Sequence, residues 1–355
     1  MKKVAIIGTQ GVPARYGGFE SLAENLIGND GNKSIEYTLF CSGVDMPTKL
    51  AEYKGCRLKY IPLRANGIQS IAYDIWSLIR SIRGYDTVLI LGVSGCIFLP
   101  IYRLLSRSRI VVNIDGLEHR RAKWGALARR FLLWSEALAV RYADVVVADN
   151  RAIQEYVTQQ YNRPSVMIAY GGDHAMRDID EGVREEILSK YGVRKGAYAI
   201  SVCRIEPENN CHLTLEAASQ SMMPMLFIGN WQYSEYGRKL YAKYNGVANI
   251  RLLNAIYDID VLYVLRSSAA MYIHGHSAGG TNPSLVEAMF FDVPIVAYDV
   301  VYNRETTVGL VPYFASAEQL AEIMSKGVTL CEQVGTYARE HYTWSHIVSQ
   351  YLGLY

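Results

Sequence analysis

The chain has 355 residues, half of them apolar and a fifth charged, with a net charge of +2. That length exceeds one ordinary hydrophobic core and implies two domains, while the composition excludes a disordered, collagenous or disulfide-dense chain. No apolar run approaches the ~18 residues of a membrane-spanning helix, and the six cysteines (41, 56, 96, 203, 211 and 331) are scattered without a CxxC, so a reduced, cytoplasmic protein with no metal site is expected.

The opening KVAIIG (3–8) breaks at Gly8 and reads as a strand, not a signal peptide. It begins a series of short, nearly continuous apolar runs: EYTLFC (36–41), RLKYIPL (57–63), DTVLIL (86–91), RIVVNI (109–114) and DVVVAD (144–149). Such runs suit parallel strands buried on both faces. Helical patterns lie between them, at 19–27, 70–82 and 124–143. The pattern restarts after a boundary near 168–176, with strands at 197–202, 225–229, 249–253, 269–274 and 294–299 and helical stretches such as 212–219 and 283–291. Alternating β and α units predict an α/β chain of two Rossmann-like, doubly wound parallel-sheet domains, 1–170 and 171–335, with a ligand cleft facing the carboxyl ends of the strands. Charge divides along the same line. Residues 1–170 hold 22 Lys and Arg against 14 Asp and Glu (+8), and residues 171–355 hold 14 against 20 (−6).

Four strand-end segments carry candidate chemistry. GTQGVPARYGGFES follows the first strand, where Gly17 and Gly18 permit a bent loop and the helix beyond it offers free amides to an anion. The spacing is not GxGxxG, so a dinucleotide fold is disfavoured. Glu20 falls in the first turn of that helix, where the dipole favours a carboxylate. NIDGLEHRRAKWG (113–125) brings Asp115, Glu118 and His119 to another strand end. Asp115 is a candidate acid, base or orienting group towards an acceptor hydroxyl, with a turn cap before Gly116 as the alternative. His119 is equally consistent with a surface residue beside Arg120 and Arg121. In CRIEPENN (203–210), Arg204 suits a diphosphate, or else an ion pair with Glu206 or Glu208.

The fourth segment is HGHSAGGTNPSLVEAM (274–289). Pro283 is a natural first helical residue and Asn282 its N-cap, leaving the amides of Ser284 and Leu285 free at a positive helix end. Glu287 lies on the same helix face and leans back towards that end, where it could accept hydrogen bonds from sugar hydroxyls. Two anion sites and such a carboxylate fit a nucleotide-diphosphate-sugar.

These segments resemble the retaining glycosyltransferases of family four, which have the GT-B fold, and the resemblance runs the length of the chain. GGTNPSLVEAMFFDVPIVAYD is similar to that family's E-x7-E region, with Glu287 as its second glutamate. CRIEPENN resembles its GR-x-x-P-E-K-G region, and YTWSHIVSQYLGLY (342–355) its closing helix, expected over 336–355 and crossing back to the first domain. The two first-domain segments resemble a bacterial subgroup that includes β1,4-rhamnosyltransferases of capsule and surface polysaccharide assembly. The resemblance implies transfer of a sugar, L-rhamnose from dTDP-L-rhamnose, to a hydroxyl of a lipid-linked saccharide at the inner membrane face, with no cofactor beyond the nucleotide-sugar co-substrate and no nucleic-acid partner. Asp115, Arg204 and Glu287 would be catalytic. Gly17, Gly18, Arg204, Asn209, His276, Gly279, Gly280, Thr281, Asn282, Ser284, Leu285 and Glu287 would bind the donor, and Glu20, Asp115, Glu118 and His119 would face the acceptor. The basic stretch 120–143, with Trp124, Phe131 and Trp134, would dock on the membrane. The chain departs from the family at Gly279, where the first glutamate belongs and where His276, Ser277 or the bare backbone of Gly279 and Gly280 would substitute, and at Asn209, where a lysine belongs, so that Arg204 and the helix dipole, or another cation, would have to do more. A sugar-nucleotide epimerase of the same fold and a non-catalytic nucleotide-sugar-binding protein are the alternatives.

Overall fold

The structure is a computed structural model that describes residues 1–14, 17–28, 35–120 and 124–355. Arg15 and Tyr16 of the first glycine-rich loop, and Arg121, Ala122 and Lys123 of the basic stretch, lie outside the described residues. The chain divides into two compact units: Met1–Tyr170 with Trp344–Tyr355, and Gly171–Thr343.

In the first unit the strands are β1 (Lys2–Ile7), β2 (Ile35–Ser42), β3 (Glu52–Tyr53), β4 (Cys56–Ile61), β5 (Thr87–Leu91), β6 (Arg109–Asn113), β7 (Val145–Ala148) and β8 (Val166–Met167). Among the described residues they form one sheet, ordered β3-β4-β2-β1-β5-β6-β7-β8. Every pairing is parallel except the short β3 with β4. Helices α1 (Gly18–Gly28), α2 (Gln69–Arg80), α3 (Leu99–Leu105), α4 (Ala126–Tyr142) and α5 (Arg151–Tyr161) connect the strands. The apolar runs have both faces covered, and Val4 to Ile7, Val88, Leu89 and Val111 are fully buried. Strand order reverses between β1 and β5, so the loops leaving those strands diverge at their carboxyl ends, where sheets of this kind bind ligands. Gly8 lies there with φ +99°, and a Cβ on it would overlap the Leu91 carbonyl oxygen. Only glycine fits at that point.

The second unit repeats the plan. Strands β9 (Ala199–Val202), β10 (Met225–Ile228), β11 (Ile250–Leu253), β12 (Met271–His274), β13 (Ile295–Tyr298) and β14 (Tyr313–Phe314) make a parallel sheet ordered β11-β10-β9-β12-β13-β14. Helices α6 (Glu181–Lys190), α7 (Cys211–Gln220), α8 (Glu235–Tyr244), α9 (Ile259–Ser267), α10 (Pro283–Met289), α11 (Val301–Thr306), α12 (Ala317–Lys326) and α13 (Glu332–His341) belong to it. Its reversal lies between β9 and β12.

The single closing helix expected over 336–355 is instead two helices. The chain turns at Tyr342 and Thr343, so α13 stays with the second unit and only α14 (Trp344–Leu352) joins the first. There Trp344, Ile347, Val348 and Tyr351 are buried. The Asn113 amide donates to the Tyr351 hydroxyl at 2.8 Å, and Lys2 Nζ donates to the Tyr355 carbonyl at 2.6 Å. Among the described residues no helix is long and apolar enough to cross a membrane.

Candidate functional site

In the second unit, the two loops leaving β9 and β12 hold Arg204 to Asn210 and Gly275 to Asn282, and a set of hydrogen bonds fastens them together. The Asn209 amide donates to the Arg204 carbonyl at 2.7 Å and its Oδ1 meets His276 Nδ1 at 2.6 Å. Asn210 donates to the Gly275 carbonyl at 2.9 Å, and the Ser277 N–H and hydroxyl both donate to the Glu208 carbonyl. Asn303 donates to the His276 carbonyl at 2.9 Å. Gly275 is required because a Cβ would overlap the Asn209 carbonyl oxygen. Asn209 and His276 are thus buried struts between the loops, while Arg204 keeps a side chain 38 % exposed, with Glu206 Oε2 4.0 Å away. The guanidinium is the cation these loops present. Gly279 adopts φ +96°, so the family's glutamate would be strained there.

Helix α10 starts at Pro283 with Asn282 as its cap, but the expected free amides are occupied. The Ser284 N–H donates to Asn282 Oδ1 at 3.0 Å and the Leu285 N–H to the Asn282 carbonyl at 3.0 Å. The cap satisfies the donors that an anion would have used. Among the described residues no hydrogen bond takes the Gly279 or Gly280 N–H, so the backbone donors move upstream by several residues. Thr281 is buried beside them.

Glu287 is neither solvated nor unpartnered. Its Oε2 lies 2.5 Å from Nη1 of Arg266, at the end of α9, and Arg266 Nη2 donates to the Ser284 carbonyl at 2.7 Å. Arg266 is buried between the Phe291 and Tyr272 rings, with its guanidinium 4.6 Å and 5.3 Å from their centroids. Burial opposes its charge, but Glu287 and Tyr272 outweigh that and raise its pKa. Glu287 Oε1 is 3.5 Å from His174 Nε2. Burial holds His174 below the usual imidazole range, against the pull of Glu287. Sequence reasoning missed Arg266 and His174. A lone arginine ending the apolar run IDVLYVLR (259–266) was the available clue to the first.

In the first unit, the glycine-rich loop holds its own anion. Glu20 Oε1 accepts from the Gln10 N–H at 2.8 Å, and a Cβ on Gly17 (φ +113°) would overlap Glu20 Oε2. Gly18 is the first residue of α1, so the carboxylate lies at the helix end, where free amides were expected to await a ligand. Glu20 is buried, and burial, with Asp115 adding repulsion, raises its pKa. Asp115 lies just beyond β6 with φ +59°, its N–H donating to Asn113 Oδ1 at 3.0 Å. A non-glycine residue held there is unusual and is often seen where a side chain has a task. Glu118 accepts from the Trp124 indole at 2.9 Å, and His119 Nδ1 lies 3.0 Å from Glu136 Oε2. Among the described residues no group of His, Cys, Asp or Glu side chains is arranged to hold a metal ion.

Residues 183–341 match the model of Glycosyl transferases group 1, and residues 1–173 match a Domain of unknown function (DUF1972). No curated protein matches the sequence. Sucrose-phosphate synthase from Thermosynechococcus elongatus superposes with a TM-score of 0.83 at 14 % identity, covering 100 % of this chain and 98 % of that one. Anabaena HepE in complex with UDP gives 0.77 at 15 %, covering 99 % of each chain. HepE in complex with UDP-glucose gives 0.76 at 15 %, covering 99 % of this chain and 100 % of that one. The chain therefore has the GT-B fold of two parallel-sheet domains and carries, in its second unit, a glycosyl transferases group 1 domain.

Proposed function

We propose that the protein is a retaining glycosyltransferase that moves a sugar, L-rhamnose from dTDP-L-rhamnose, to a hydroxyl of a lipid-linked saccharide in surface polysaccharide assembly. The observation that carries this reading is the pairing of an available guanidinium, Arg204, with a buttressed carboxylate, Glu287, in a group 1 domain, at the strand ends where its sheet reverses. HepE's complexes with UDP and UDP-glucose support a nucleotide-sugar as the donor class. In the reaction the bond from the anomeric carbon to the diphosphate breaks, and its electrons leave with the diphosphate. The acceptor oxygen bonds to that carbon, and its proton passes to an oxygen of the departing diphosphate. Stabilising the charge on the departing diphosphate is the main electrostatic task, and Arg204 with the Gly279 and Gly280 amides suits it. Glu287 Oε1 would hold a ribose or deoxyribose hydroxyl.

A thermal-shift panel of nucleotide-sugars tests the donor: at a hundred times its dissociation constant, the true donor raises apparent stability by about 2.7 kcal/mol. Incubation of that donor with a glucosyl-pyrophosphoryl lipid then separates transfer from sugar conversion without acceptor (an epimerase) and from binding without turnover (a binding protein). Arg204→Ala is expected to weaken donor binding about tenfold or more, the scale of one charge-assisted hydrogen bond, by calorimetry. Wild-type affinity in that variant overturns the assignment of the diphosphate site.

A membrane-bound acceptor is supported by the outer surface of α3 and α4, which pack together. Leu104 and Leu127 are each 85 % exposed and Trp134 is 54 % exposed, with Arg107, Arg129 and Arg130 also exposed. Of the other two aromatics expected to dock, Phe131 is half-buried and Trp124 bonds to Glu118. Leu127→Ser with Trp134→Ala is expected to cut sedimentation with anionic vesicles roughly fivefold while sparing thermal stability. Unchanged sedimentation removes this surface from the proposal.

A further inference from the structure

Behind the strand end that carries Asp115, a buried carboxylate is surrounded by three donors. Glu136, on α4, has a side chain 1 % exposed. The hydroxyls of Tyr156 and Tyr161, both on α5, donate to its Oε1 at 2.8 and 2.7 Å. Its Oε2 faces Nδ1 of His119 at 3.0 Å. A carboxylate withdrawn from water costs several kcal/mol unless its lone pairs are filled. Here they are filled by two phenols of one helix on one side and by a single imidazole on the other. Burial first, then Glu136, pushes Tyr156 up to about 12, and the same causes raise Tyr161 further, so both phenols remain O–H donors. Arg120 stacks on the Tyr156 ring at 4.8 Å, and Glu118 is bonded to the Trp124 indole.

The chemistry of the group fixes the histidine. An ionised carboxylate accepts and cannot donate, so Nδ1 carries the hydrogen, and in the uncharged form of the ring Nε2 is the bare lone pair. Among the described residues no hydrogen bond takes that Nε2, and the His119 side chain retains 12 % of its surface. His119 stands in a tight turn, Glu118–Arg120, four residues beyond Asp115.

We propose that Glu136, Tyr156 and Tyr161 are positioning residues that lock His119 in the Nδ1–H tautomer, so that Nε2 accepts a hydrogen bond from the hydroxyl of the saccharide acceptor. This rests on the transferase reading above and names a residue set for its acceptor side.

The test is Glu136→Gln in the full chain. The carboxamide oxygen keeps both phenol bonds, while its NH2 donates to Nδ1 and drives the hydrogen to Nε2, turning an acceptor into a donor. Nitrogen-15 NMR of the histidines should show His119 as the Nδ1–H tautomer in the wild type and the Nε2–H tautomer in the variant. With the glucosyl-pyrophosphoryl lipid as probe, the acceptor KM should rise about tenfold, the scale of one lost hydrogen bond, with the donor KM unchanged. In a His119→Ala background, which shows the same rise alone, Glu136→Gln should add nothing. Tyr161→Phe should keep the tautomer and raise KM less. An Nε2–H tautomer in the wild type, an unchanged acceptor KM, or an effect that persists without His119 overturns the proposal. A wild-type chain that binds no nucleotide-sugar overturns the transferase reading instead, and the NMR pattern still decides the tautomer lock.

Discussion

Arg266→Met should lose about 3–5 kcal/mol of folding stability in urea unfolding, the cost of leaving one member of a buried ion pair without its partner. The side chain of Arg266 is only 6 % exposed, and the guanidinium does three things at once. It neutralises Glu287, donates to the Ser284 carbonyl, and fills the space between Tyr272 and Phe291. Methionine replaces the last of these and neither of the others. The functional loss should exceed the stability loss, because Glu287 Oε2 is released and the carboxylate no longer points as the proposed donor site requires. Arg266→Lys should not rescue binding, since an ammonium cannot bridge Glu287 and the Ser284 carbonyl with a planar fork. Arg266→Met combined with Glu287→Met should recover most of the stability and none of the donor binding. A single variant as stable as the wild type would show that the pair contributes nothing, and Glu287 would then be a ligand group held by something else.

The same pair shows where the sequence was legible. The central strands could be read because they are short apolar runs buried on both faces of the sheet, as at Val4–Ile7 and Val146–Ala148. Helix α10 could be located from Asn282 and Pro283, since a cap and a first-turn proline are local features. What the cap does with the amides is also local: an asparagine that caps by accepting from the Ser284 N–H cannot leave that N–H for a phosphate. The Glu20 carboxylate followed the same logic in α1, occupying the helix end that its own sequence advertised. Contacts between elements were another matter. Arg266 and Glu287 are 21 residues apart, and His119 and Glu136 are 17 apart on different elements, so no periodicity joins them. In each case the trace is a lone charge in an apolar helix, the glutamate of SEALAV or SLVEAM and the arginine that ends IDVLYVLR, which implies a partner without naming it. Helix α5, with only Ile153 and Val157 buried, carries too weak an apolar stripe to be read from sequence.

Asp74 should make the whole first unit less stable as pH rises, and Asp74→Asn should abolish that dependence. It lies on α2, fully enclosed, under the loop that leaves β5. A Cβ on Gly95 would overlap the Asp74 Cβ, which shows how closely that loop covers it. Ser94 and the Gly95 amide bond to the carboxyl group, but its Oδ1 has no partner, and burial dominates, pushing the pKa from 3.8 to about 8. The sign follows from proton counting. Below pH 3.8 the group is protonated in both the folded and the unfolded chain. Between 3.8 and about 8 the unfolded chain releases the proton while the folded chain keeps it, so folding becomes progressively less favourable. Above about 8 both are ionised and the loss is complete, on the order of several kcal/mol. Asparagine has nearly the same shape and no charge in either state. It should therefore match the wild type or fall slightly below it at pH 5, where its NH2 takes the place of the unpartnered oxygen, and exceed it at pH 8.5. Urea midpoints at the two pH values test this, and parallel pH slopes for wild type and variant would rule it out. Because the buried carboxyl supports the loop at the reversal between β1 and β5, the same titration should loosen Gly92 to Gly95 before it unfolds the sheet. Amide exchange in that loop should then rise with pH beyond its intrinsic dependence in the wild type, and only with it in Asp74→Asn.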